Sequence, residues 1–149
     1  MASTVNAAVA GFIAALENST DLAGVTIHDG PPASAESKEW IAVGYQPGTT
    51  ESVTMTWDWA QIGGQQSEET YDVLCSFAVT SGDEDMVTRR TRAVAIRDAI
   101  AAAIRSDWTL GRAVRLAHLS DGVMHQEQTS RGSSIGFTFT LSCVARITT

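Results

Sequence analysis

The sequence predicts an α+β domain: a mainly antiparallel, one-faced sheet with two helices packed on one side. Three observations point there. Tyr71, Val73, Cys75, Phe77 and Val79 alternate with other residues, as do Ile135, Phe137, Phe139, Leu141, Cys143, Ala145 and Ile147, and a period of two marks strands buried on one face. Around Phe12 and around Ile96, apolar residues recur at helical spacing instead. No linker or repeat divides the 149 residues, so residues 1–149 read as one domain, large enough to bury a core unaided.

The elements follow in order. Val5, Val9, Phe12, Ile13 and Leu16, with alanines between them, predict an amphipathic helix over 4–18, with Ser3 or Thr4 to cap it. Val25 to Asp29 predicts a short strand, stopped by Gly30-Pro31-Pro32, where successive prolines remove ladder donors. Trp40 to Tyr45 predicts a second strand. Val53, Met55, Trp57 and Trp59 alternate with polar or small residues and predict a third, with both indoles packed in the core. The simplest pairing joins it by a hairpin to the long strand of Tyr71 to Val79.

Ser81-Gly-Asp-Glu84 has the form of a capping box and opens a helix running to about Ser106. Met86, Ala93, Ile96, Ile100 and Ile104 form its inner face, with Arg90 and Arg97 along the border. After Asp107 to Gly111, a strand over 113–119 ends in the turn Ser120-Asp121-Gly122. The closing strand from Ile135 to Ile147 exceeds the usual length of about 5 to 6 residues, which predicts that its excess projects as an arm or lines a partner.

The net charge of −7 conceals a division along the chain. Residues 1–88 hold thirteen acids against the single base Lys38, whereas residues 89–149 hold nine arginines against four acids. Kept apart in space, those halves give one molecule an acidic and a basic surface, which favours head-to-tail contact between copies; the alternative is that they intermix. Clustered basic residues with exposed aromatics, the footprint of nucleic-acid binding, are missing. No apolar run is long enough to span a bilayer, and Met1 to Asn6 lack the features of a secretory signal, which predicts synthesis in the cytoplasm. Cys75 and Cys143 fall in apolar alternating segments and read as buried free thiols without metal-site spacing.

Candidates for chemistry have cheaper explanations. His118, Asp121 and His125 suggest a small metal site, or a metal-dependent hydrolase built on it, but match no standard ligand spacing; a turn with two histidines at a solvated margin suffices. His28-Asp29 lacks a second placed group for acid–base work. Ser81 to Asp85 lacks the ligand spacing of a calcium loop, and Gly63-Gly64 precede no phosphate-binding lysine. The expectation is therefore a protein that is not an enzyme and takes no cofactor.

The succession of pieces resembles the tail terminator (tail completion) proteins of long-tailed bacteriophages, particularly the small versions in phages of actinobacteria. The resemblance spans nearly the whole chain: the N-terminal helix, His28-Asp-Gly-Pro-Pro32, Ile41-Ala-Val-Gly-Tyr45, Glu69-Thr-Tyr-Asp-Val-Leu-Cys75, Ser81-Gly-Asp-Glu-Asp85 before an Arg-rich helix, Asp107-Trp-Thr-Leu-Gly111, and the strand Gly136 to Arg146. It implies a hexameric ring in the virion, at the head-proximal end of the tail. Such a ring caps the tube, halts polymerisation of the tube protein, meets the head–tail connector and lets DNA pass without sequence-specific binding. Another connector or minor tail protein is the alternative within the same class. Charge complementarity adds the expectation that Arg89, Arg90, Arg92 and Arg97 meet acids of a neighbouring subunit, and that the acidic half forms either the lumen or the subunit interface.

Overall fold

The computed structural model describes residues 2–32, 38–61, 65–83, 85–130 and 132–148. Helix α1 (Val5–Glu17) and a 3-10 turn (Thr20–Leu22) precede strands β1 (Thr26–Asp29), β2 (Glu39–Val43), β3 (Val53–Gln61) and β4 (Gln66–Ser81). Helix α2 (Met86–Ser106) and strands β5 (Leu116–Thr129) and β6 (Gly132–Thr148) follow. The predicted architecture is observed: one six-stranded, mostly antiparallel sheet with helices packed on it.

Strand β4 is the spine. Its sixteen residues take two partners in succession along one side, with β3 on Gln66 to Val73 and β2 on Cys75 to Val79, and β6 along the other side from Ser81 to Gln66. β1 adds to β2 as a parallel pair, and β5 adds to β6. Along β4 the odd-numbered residues from Ser67 to Val79 are buried, and opposite them stand Ile147, Ala145, Cys143, Leu141, Phe139, Phe137 and Ile135 of β6. Against this face α1 lays Ala8, Phe12 and Leu16, and α2 lays Ala93, Ile96, Ala99, Ile100, Ala103 and Ile104. Full burial of one such side chain, Phe12 for example, contributes about 2 kcal/mol.

Gly11 lets α1 come close to the loop after α2: a Cβ there would stand 2.2 Å from the Leu110 carbonyl oxygen. That loop is bent through Leu110, Gly111 and Arg112, all at positive φ.

Three expectations change. Asp121-Gly122 is no turn, since β5 continues through it for fourteen residues. Ser120 is instead an extra residue between the pairs Leu119↔Leu141 and Asp121↔Thr140, a bulge that exchanges the two faces of the strand. Gly122 serves packing: a Cβ there would stand 2.6 Å from Cζ of Phe137, whose ring stacks on Phe77. Helix α2 is capped by Asp85, whose side chain accepts from the Thr88 N–H, because Ser81 is still in β4; Glu84 of the expected box lies outside the described residues. β6 is seventeen residues long and forms no arm, because it is paired with β4 from Ser133 to Thr148.

Candidate assembly surface

On one side of β4 the sheet ends in β3 along Gln66 to Val73 and in β1, beyond β2, along Cys75 to Val79; on the other side it ends in β5, and each of these edge strands is hydrogen-bonded to a single strand. The pairings set the start of β3 level with the start of β5: Met55 lies opposite Tyr71, which lies opposite Cys143, which lies opposite Ala117. Trp57 and Trp59 stand on the helix-side face with Val53 and Met55, as alternation requires, yet their expected burial is not found. They are 51% and 72% exposed, because α1 reaches only to the row of Trp57, where Thr4 meets Glu69. Two indoles in water with Asp58 between them make an apolar, acidic edge.

At the opposite edge, α2 and β5 border a groove of about 650 Å³ lined by Arg97, Arg105, Trp108, Leu116 and Leu119. Trp108 and Leu116 are 53% and 44% exposed. The Trp108 carbonyl accepts from the Ala117 N–H at 2.9 Å, so it blocks the strand ladder there and leaves side chains to define the groove. Of the four arginines singled out on α2, Arg92 is committed within the chain, with Nε and Nη2 donating to Glu39 at 2.8 and 3.0 Å. Arg97 holds its own neighbour Asp98, Arg89 is half-buried, and Arg90 is exposed.

The charge divides between layers rather than across the sheet: β1 to β4 carry six acids and no base, β5 and β6 carry Asp121 and Glu127 against Arg146, and the other described arginines lie on α2 and in the segment after it. Among the described residues the two halves of the sequence touch through charge in Arg92–Glu39 and in Arg115–Glu68 at 3.7 Å, the latter an exposed pair of small energetic weight.

Chemistry finds no assembled site among the described residues. His118 pairs with Ser142 and His125 with Gly136, which separates the two along β5 by about 20 Å, and no group of three ligating side chains could hold a metal ion. His28 stands edge-on to Trp40, and its Nε2 has no hydrogen-bond partner there, so nothing positions it as a base. Cys75 and Cys143 are free and buried, and burial pushes both thiols up to about 12, which keeps them protonated and unreactive at neutral pH. The residues Gly63 and Gly64 lie outside the described residues.

One arrangement had no signature in the sequence. Glu69 is fully buried yet accepts from the Thr4 N–H at 2.9 Å, the Thr4 hydroxyl at 2.8 Å and the Trp57 indole N–H at 2.9 Å. Burial acts to raise its pKa, but those bonds together hold the carboxyl below its ordinary value. The carboxylate thereby ties the start of α1 to the edge strand β3. Tyr71 joins the network through a 2.9 Å hydrogen bond with Thr4.

Neither a family model nor a curated protein matches the chain.

Proposed function

We propose that this chain is a structural subunit of the tail-terminator kind, which assembles head to tail into a ring on the end of a phage tail tube. In this reading the ring, taken as a hexamer, stops addition of tube protein, offers its other face to the head–tail connector and leaves a passage for DNA. The function is steric and involves no reaction.

The observation that carries the reading is a sheet whose strands β1 to β4 carry acids and no base, packed under a helix α2 that carries five arginines against the single acid Asp98. Heterologous contacts use two different surfaces of each copy and generate closed rings when the rotation permits. Opposite charge on those surfaces speeds and orients the encounter. The order of motifs along the chain, resembling tail terminators, supplies the particular identity of the ring.

A length assay tests this. Purified tube protein is allowed to polymerise with and without the chain, and tubes are measured by negative-stain microscopy. Capping predicts short tubes that carry extra density at one end. Tubes of unchanged length without end density would remove the reading.

A further inference from the structure

We propose that the β3 edge of one copy, carrying Trp57, Asp58 and Trp59, seats in the groove between α2 and β5 of a second copy. The contact rests on the proposed ring only for its closure; as a head-to-tail joint it stands on geometry alone.

Three features fit the two surfaces to each other. Each exposes large apolar groups that a solitary domain has no reason to leave in water: Trp57 and Trp59 on one edge, Trp108 and Leu116 on the other. Charge adds to this, with Glu51 just before β3 and Asp58 on the other face of that strand, against a groove lined by Arg97 and Arg105 with one acid, Asp98. The directions also agree. β3 runs antiparallel to β4, β4 to β6 and β6 to β5, so a neighbour in the same orientation presents its β3 antiparallel to β5. The Trp57 row runs through Glu69 to Ala145, one row before β5 begins at the Leu116–Val144 pair, so seating the indoles in the groove sets successive copies off by a few residues along the strands.

The occupant is a second copy rather than an unrelated partner because each copy carries both complementary halves. The Trp108 carbonyl on Ala117 restricts backbone pairing at the start of β5, so the side chains in the groove carry the contact. Arginine and tryptophan are the residue types that most often dominate such interfaces.

Two blocked variants test the joint. D58N/W59S disables the strand edge and R97E/R105E disables the groove; Trp57 is left in place because it supports Glu69. Circular dichroism and thermal melting confirm that each still folds. Solution mass is then measured across a concentration series. The wild-type chain is expected to self-associate, and each blocked variant to weaken that association at least about tenfold. An equimolar mixture of the two blocked variants retains one intact joint per pair, so it forms dimers and nothing larger. Higher oligomers from either blocked variant alone would place the interface elsewhere while leaving a ring possible. A wild-type chain that stays monomeric at every concentration would overturn the joint, and the tube-length assay then decides the capping reading separately.

Discussion

At the scale of single residues, Glu69 shows how a buried charge can be an organising contact. Its carboxylate is closed off from water and accepts three hydrogen bonds from two elements distant in sequence. Removing it takes the acceptor from the partly buried Thr4 N–H and hydroxyl and from the indole N–H of the half-exposed Trp57. Glu69→Leu is expected to cost about 3 kcal/mol in chemical denaturation, since each partly buried donor left without a partner carries its desolvation penalty. A pH dependence follows with a definite sign. The folded-state pKa lies below the ordinary value of 4.5, so the unfolded chain takes up the proton first on acidification. The stabilisation is therefore complete above about pH 4.5 and is lost as the pH falls through the lowered folded value. Wild-type melting temperature should drop in that acidic window more steeply than that of Glu69→Leu, and parallel pH profiles would contradict this. The sequence hid the network because Thr4 lies 65 residues from Glu69. The same distance in sequence concealed the fate of Trp57 and Trp59. Alternation assigns a side chain to a face of the sheet, but what covers that face is decided by where a separate helix begins.

At the scale of elements, strands and helices were legible wherever one face was apolar, and their ends were legible only where local chemistry acted alone. β4 and α2 could be traced from periodicity. The β5 turn could not, because Asp121-Gly122 supplies the same signal whether glycine serves a turn or gives way to the Phe137 ring. Helix α1 offers a test in which two element-level effects oppose each other. By intrinsic propensity, alanine in place of Gly11 favours the helix by about 1 kcal/mol. Its methyl group, however, would stand 2.2 Å from the Leu110 carbonyl oxygen, in a loop already held at positive φ. Overpacking against backbone costs about 1–3 kcal/mol before any gain and is the larger effect here. Gly11→Ala should lower the urea midpoint, corresponding to a net loss of about 1 kcal/mol, and a raised midpoint would mean that the loop yields freely.

At the scale of the whole molecule, the division of charge along the sequence becomes a division between acidic strands and an arginine-bearing helix. This spatial separation could not be read from composition, which was equally consistent with mixing. It followed from where the arginines fall, five of them on α2 and only Arg146 on β5 and β6. If opposite charges draw copies together, salt must loosen them. Raising the ionic strength from about 0.1 M to about 1 M shortens the screening length from about 10 Å to about 3 Å. Self-association of the wild-type chain is expected to weaken by about tenfold over that range by analytical ultracentrifugation. A joint held mainly by its indoles would instead be unchanged or strengthened by salt.

The position of β4 has one more consequence, and it concerns the order of events during synthesis. This strand has its partners β2 and β3 already made when it leaves the ribosome, but its other edge waits for β6, whose first paired residue Ser133 lies 52 positions beyond Ser81. Until then a sixteen-residue edge rich in apolar and hydroxyl side chains stands open, the kind of template on which stray strands add. Helix α2 is made in that interval, and by settling on β4 it covers the growing core while the ladder is half built. The sheet therefore closes from its middle last, so the step that completes the molecule is also the one on which misassembly has the longest time to compete.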